Sequence, residues 1–406
     1  MIALLFGTYN SKHAANALLV ADLRAAGCEV RECHEPLWEE TRDKSAPYFA
    51  PLGLARLALR YVASAWRLAG RFGREASAAP LVVIGFNGQL DVLLARALDR
   101  RRRILFAPLV TVSETLIDDR AAYSARSIGG RLLRALDRLT LSAADLVVID
   151  TQAHRDYLVE HFGIAPSRVL VQYLGAEPSF AVTSTAGAFA RPAHEVAPAA
   201  AESGTPALPD AHRPLRVLCY SQYLPLHGSE VIALAARLIP IDAGIVFELV
   251  GTGPERARCE AFVRKVPHVR MIDWIPYDEL PARIAAADVV LGVFGSSVKA
   301  RMVIPNKVYQ AALVGRAIVT ADTPAIREVF VPGESIYTIA PEPRALADAL
   351  LVLARDGALR DRLGRGARDA VERSAAPAVR GLRLRAALAE SGLLAGPLPV
   401  VPGGGA

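Results

Sequence analysis

Apolar residues along the chain fall into short unbroken runs, separated by longer segments in which apolar and polar positions recur with helical spacing. Strands are predicted at 2–6, 81–84, 104–106, 146–149 and 169–171, and a second series at 217–220, 246–250, 289–293 and 317–320. Runs without in/out alternation, with helices between them, indicate parallel sheets covered on both faces. Two such series predict an α/β protein of two doubly wound, Rossmann-like domains. The first takes residues 1–180 and the second 215–394. Between them, residues 181–214 hold 11 Ala and 5 Pro without apolar periodicity, the composition of a linker or mobile insertion. Residues 395–406 read as a flexible tail.

Two hinged domains of this kind leave a cleft between the C-terminal strand ends of both, where ligands of open parallel sheets bind. Composition narrows what that cleft serves. The 406 residues are 52% hydrophobic and 22% charged, enough for more than one core and unlike a fibrous or disordered chain. Four scattered cysteines form neither a disulfide framework nor a zinc motif, and no metal is expected. No apolar run has membrane-spanning length. The first six residues read as a buried strand, not a signal peptide, so a cytoplasmic location is expected.

Charge is distributed unevenly. The net charge is +6, yet residues 51–138 alone carry 15 Arg against 7 Asp and Glu. Within residues 54–74, Arg56, Arg60, Arg67, Arg71 and Arg74 share one helical stripe about 60° wide at ~100° per residue. Leu54, Leu57, Tyr61, Trp66, Leu68 and Phe72 take the other side. Such a helix suits an anionic bilayer surface, or packs its apolar side on its own sheet. Nucleic acid is the poorer partner, since aromatics are only 6% and no binding module is recognisable.

Two segments carry candidate ligand chemistry. Residues 250–254 (VGTGP) place Gly251 and Gly253 between a strand and a helix, where the backbone can approach a ligand closely or simply turn. Residues 291–315 contain Gly295, Ser296 and Ser297, then Lys299, Arg301 and Lys307 ahead of a helix opened near Pro305. Small residues, cations and a helix N-terminus together suit a diphosphate, or form a solvated basic loop, and Gln310 lies one turn further on, within reach of a ribose hydroxyl. In the first half, Glu114 and Asp119 either bind acceptor hydroxyls or serve as helix caps and ion-pair partners.

The order of the segments 217–238, 247–254, 269–293 and 304–330 resembles the retaining glycosyltransferases of family 4, whose fold is GT-B. Segments 83–94, 106–120 and 144–151 resemble a bacterial branch of the same group. The resemblance implies a nucleotide-sugar donor as substrate, no separate cofactor, and a glycan or lipid-linked acceptor. It places the base against the backbone near Trp274 and Ile275. Gly295, Ser296, Ser297, Arg301 and Lys307 would face the diphosphate, and Gln310 the ribose. Arg301 and Lys307 are the implied catalytic cations. The acceptor would enter near Gly7, Asn10, Gly88 and Gln89. The sequence departs from the family pattern where two glutamates are usual, at Met302 and Gln310, and where two basic residues are usual, at Gln222 and His227. A neutral-to-cationic histidine still donates to phosphate. Retaining transferases of this kind are thought to need no enzymic nucleophile, because the leaving phosphate takes the acceptor proton. A catalytically silent member that binds a nucleotide or a partner is the alternative expectation.

Overall fold

A computed structural model describes residues 1–11, 13–38, 51–181 and 213–394; the expected tail and all but the ends of the expected linker lie outside these residues. Two six-stranded sheets form the framework. The first contains β1 (Ile2–Gly7), β2 (Glu29–His34), β3 (Leu81–Ile84), β4 (Arg103–Phe106), β5 (Leu146–Ile149) and β6 (Val169–Val171), in the order β2-β1-β3-β4-β5-β6. The second contains β7 (Leu215–Tyr220), β8 (Ile245–Val250), β9 (Val269–Ile272), β10 (Val289–Leu291), β11 (Ala317–Ala321) and β12 (Tyr337–Ile339), in the order β12-β11-β10-β7-β8-β9. Every pairing is parallel. Central strands such as β3 and β5 are buried along their whole length, which is why their sequences are uninterrupted Leu, Val and Ile. Three strands escape the apolar pattern: β2, β9 and β12. All three lie at sheet edges, with mostly part-exposed residues.

In the first lobe, α1 (Ala14–Ala25) covers one face of the sheet, and α2 (Pro51–Ser77), α3 (Gln89–Leu98), α4 (Ile128–Ala143) and α5 (Gln152–Phe162) cover the other. The second lobe adds α6 (Ser229–Leu238), α7 (Arg256–Val263), α8 (Leu280–Ala286), α9 (Val298–Met302), α10 (Asn306–Val314), α11 (Pro324–Arg327), α12 (Pro343–Arg355) and α13 (Gly357–Ala375). The last helix, α14 (Pro377–Glu390), departs from the division at 215–394. It returns to the first lobe and packs Leu384 and Leu388 beside Leu19 and Leu23 of α1.

Buried polar contacts hold the lobes face to face. Arg380 of α14, fully buried, donates to Asp22 at 2.8 Å and to the Leu174 carbonyl at 2.6 Å. Glu328 of the second lobe accepts from the Gln152 and Ala153 N–H groups at 2.6 and 2.8 Å, so a carboxylate from one lobe caps the N-terminus of a helix in the other. The Thr151 hydroxyl, which also caps α5, donates to the Met302 carbonyl.

Candidate active site

In the second sheet the chain leaves β7 towards one edge and β10 towards the other, so the crevice of an open α/β sheet opens between these two strands. It is walled by the loops that follow them, 221–228 and 292–297. The loops are joined backbone to backbone: Phe294 N–H donates to the His227 carbonyl at 3.0 Å and Gly295 N–H to that of Leu226 at 3.1 Å. A side chain at Gly228 would bring its Cβ within 2.3 Å of the Phe294 carbonyl carbon, and φ there is +59°, so glycine is required. The same contact logic revises the part expected of Gly251 and Gly253. Their open faces press on the carbonyl oxygens of Ser221 and Gln222, where a Cβ would lie at 1.8 and 1.7 Å. The close approach they permit is to the chain's own loop, which is thereby braced behind the crevice. Tyr223 of that loop keeps a left-handed φ of 46°, a cost that sites built for binding tend to carry.

His227 stands at the centre of the crevice. Its Nδ1 accepts from Leu224 N–H at 3.1 Å, leaving Nε2 as the protonated nitrogen. Burial first, then the charges of Lys307, Lys299 and Arg120, hold its pKa well below the ordinary range, so the ring is a neutral donor at neutral pH. Partial charge on this imidazole, expected from sequence, is thus replaced by neutrality among three cations. Lys307 is buried, its Nζ donating to the Gly292 carbonyl at 3.2 Å and lying 5.8 Å from the centre of the Tyr220 ring. Lys299, also buried, reaches across to Thr115 Oγ1 of the first lobe at 3.3 Å. Ser297 caps α9, accepting from Ala300 N–H, and Ser296 precedes it on the same loop. Ser229, the first residue of α6, is buried with no hydrogen-bond partner for its hydroxyl. Arg301 is exposed and is not among the charges acting on His227. Lys299 and Arg120, not Arg301, join Lys307 among the charges acting on His227.

The remaining second-lobe positions are partly engaged. Gln310 is buried; its Oε1 accepts from Tyr220 Oη at 2.9 Å and its Nε2 donates to Tyr277 Oη at 2.8 Å, while Tyr277 donates to Glu177 at 2.7 Å. Trp274 is 60% exposed on the loop after β9, with Ile275 half-buried beside it. The Met302 side chain is buried in the core of the first lobe. An apolar residue at this position therefore serves packing between the lobes.

The first lobe carries the opposite charge at its own crevice, between β1 and β3. Asp91, in the first turn of α3, accepts from Thr8 N–H at 2.7 Å and from Thr8 Oγ1 at 3.1 Å. It fills the space in front of Gly7, where a Cβ would lie 2.4 Å from its carboxylate. Burial pushes its pKa up to about 6. Gly88 is closely packed against Ile84 and Gly85, Gln89 donates to the Val110 carbonyl at 3.3 Å, and the Asn10 carbonyl accepts from Asn16 at 2.9 Å. These residues build the loops around the first-lobe crevice.

Nearer the second lobe, a π-helical turn (Glu114–Asp119) faces α9; such turns recur at functional sites. Glu114 contacts His154 Nε2 at 2.7 Å, and Asp150 contacts Nδ1 at 2.8 Å, all three being buried. Burial opposes charge on His154, but the two carboxylates outweigh it and push its pKa up to about 10. Glu114 is thus engaged in a buried ion cluster. Asp119 instead faces the second lobe: Oδ1 lies 3.5 Å from Ser297 Oγ, and Oδ2 is buried without a hydrogen-bond partner. Sequence reasoning missed His154, Asp150 and Asp91 as a charged framework, because Glu114 and Thr8 lie far from their partners in the chain; the i,i+4 pair of Asp150 and His154 was the one local signal. Among the described residues no group of three His, Cys, Asp or Glu is placed to hold a metal ion.

Comparison with known proteins agrees with this architecture. The model for Glycosyltransferase Family 4 matches residues 17–180 and that for Glycosyl transferases group 1 matches residues 215–356. Among solved structures, the chain is similar to sucrose-phosphate synthase from Thermosynechococcus elongatus, with 16% identity over 94% of this chain and 96% of that one and a TM-score of 0.64. It is similar to HepE of Anabaena in complex with UDP-glucose, at 14% identity, 96% and 99% coverage and a TM-score of 0.63. A putative UDP-N-acetylglucosamine 2-epimerase from Listeria monocytogenes shares the fold at 12% identity, 95% coverage of each chain and a TM-score of 0.55. Among curated proteins none matches the sequence. With two facing parallel sheets and both halves matched, the chain belongs to the family 4, group 1 glycosyltransferases and has their GT-B fold.

Proposed function

We propose that the chain transfers a sugar from a nucleotide-sugar to a hydroxyl of a glycan or lipid-linked acceptor, with retention at the anomeric carbon. The observation that carries this reading is the gathering of Lys307, Lys299 and Arg120 around a neutral His227 at the second-lobe crevice. Three cations, an imidazole N–H and the unpartnered Ser229 hydroxyl at a helix N-terminus form a site for an anion. Complexes of HepE with UDP and UDP-glucose make a nucleoside diphosphate the anion of choice.

In this reading the bond between the anomeric carbon and the diphosphate oxygen breaks, and its electron pair stays on that oxygen. Lys307, Lys299 and His227 Nε2 stabilise the charge that develops there. The acceptor oxygen bonds to the anomeric carbon on the face the diphosphate leaves, and its proton passes to the departing phosphate. Met302 offers the sugar no polar group, so the carboxylate for a sugar hydroxyl is Asp119, whose Oδ1 lies near Ser297 of the second lobe and whose buried Oδ2 has no hydrogen-bond partner. The Tyr220–Gln310–Tyr277 chain lies where the ribose is expected, with Tyr277 at its exposed end.

A specific observation also favours a silent nucleotide-binding protein: Met302 is withdrawn into the first lobe, and both ends of the Gln310 amide are occupied. Incubation with a panel of nucleotide-sugars, with Lys307→Met as control, separates the two readings. Release of nucleoside diphosphate by the unaltered chain and not by the variant is expected. Nucleotide binding without release from any donor would establish the silent reading.

A further inference from the structure

The three helices α2, α3 and α4 lie side by side on one face of the first sheet, with α3 between the other two. They hold ten of the eighteen large apolar side chains that stand exposed among the described residues. Trp66 is 83% exposed, Ile128 79% and Leu59 72%. A lobe that otherwise buries its apolar residues leaves these outside, on helices whose opposite sides already fill the core with Leu68, Phe72 and Leu141.

The exposed residues are ordered, and two helices repeat the same arrangement. At ~100° per residue, Leu52, Leu59, Val62 and Trp66 of α2 share an outward sector of about 80°. On α4, Ile128, Leu132, Ala135 and Leu139 share one of about 60°. Each apolar sector has a band of arginines on one flank only. On α2 the band is Arg56, Arg60, Arg67, Arg71 and Arg74; on α4 it is Arg131, Arg134 and Arg138. Arg67 and Arg71 turn back to Glu35, at 2.7 and 2.6 Å, so part of the α2 band secures the helix to its lobe. Arg56, Arg74, Arg131, Arg134 and Arg138 make no ion pair among the described residues. The acids on the three helices are Glu75, Asp91 and Asp137, and none is exposed. The contrast is α5 on the same sheet face, which exposes Asp156 and Glu160 and no large apolar residue.

From this we infer that α2, α3 and α4 form a platform that lies on an anionic lipid bilayer, with the apolar sectors at acyl depth and the arginine bands on headgroup phosphates. An apolar sector beside cations, with no exposed acid, is the pattern of interfacial helices. A protein partner needs complementary shape, whereas a bilayer needs only this sequence of depths. All three helices begin at the cleft end of the sheet, so the platform would set the acceptor side of the cleft at the membrane. The inference does not depend on which reaction the cleft performs.

Co-sedimentation of the full chain with vesicles tests it. The chain is expected to pellet with vesicles of phosphatidylcholine and phosphatidylglycerol in equal parts, and far less with phosphatidylcholine alone. High salt should weaken the binding. Replacing Arg131, Arg134 and Arg138 by Gln should lower the partition constant at least about tenfold, since each surface cation contributes to the attraction. Trp66→Ser with Leu59→Ser should lower it comparably, and thermal unfolding reports whether each variant is folded. Negligible pelleting with both vesicles, or equal pelleting with both, would overturn the inference. So would self-association in light scattering that the same variants abolish, because it would give the platform to a second copy of the chain.

Discussion

The two crevices of this molecule share a topology and differ in sign. In the first lobe the glycine loop after β1 wraps the buried carboxylate of Asp91, which accepts from Thr8 N–H and fills the space before Gly7. In the second, the loops after β7 and β10 surround His227 with Lys307, Lys299 and Arg120. The same arrangement of strand ends and helix N-termini holds one buried carboxylate in one lobe and, in the other, two lysines and an arginine with Asp119 beside them. On the proposed function, the anionic donor falls to the second lobe and hydroxyl recognition to the first.

The comparison requires the lobes to stay opposed, and the largest effect is expected where they are fastened. Arg380→Met would leave Asp22 as a buried charge without its 2.7 Å partner, at a cost of about 3–5 kcal/mol in denaturant unfolding. Removing the second-lobe cation sharpens the contrast in sign: Lys307→Met should lower kcat/KM for the nucleotide-sugar by about 100-fold or more, as loss of one donor to a developing oxyanion does. Its buried Nζ has the Gly292 carbonyl as partner, so circular dichroism must show the variant folded.

For the first lobe the prediction concerns pH. Burial raises the Asp91 carboxyl from 3.8 to about 6, so the folded state holds this proton more tightly than the unfolded chain. Its stabilising contribution is complete below about pH 4 and is lost as pH rises through about 6, an amount on the order of 2–3 kcal/mol. Asp91→Asn should flatten that part of the stability profile, measured by urea unfolding between about pH 4 and about 8. The smallest effect is expected at the rim. Tyr277→Phe removes the half-exposed hydroxyl that links Gln310 to Glu177, with a loss of about 1 kcal/mol or less in stability.

These contrasts were unequally legible in the sequence. The fold was readable because strands such as β3, β5 and β6 are continuous apolar runs bounded as predicted. Edge strands β2, β9 and β12 were not, since half-exposed strands carry Glu, Arg and Thr that break the run. The segment holding Lys299 and Lys307 stood out by its cations, glycine and serines. Which cations meet was hidden: Arg120 comes from the other lobe, while Arg301, two residues from Lys299, is exposed. The His154–Glu114–Asp150 cluster was invisible for a related reason, because Glu114 and His154 meet only when the π-helical turn packs on α5.

Calorimetric titration with a nucleoside diphosphate tests the central claim most directly. The account predicts saturable binding to the unaltered chain that weakens at least about 30-fold in Lys307→Met, while Asp91→Asn binds as the unaltered chain does. Equal affinity in the Lys307 variant, or binding weakened by the Asp91 change instead, would contradict it.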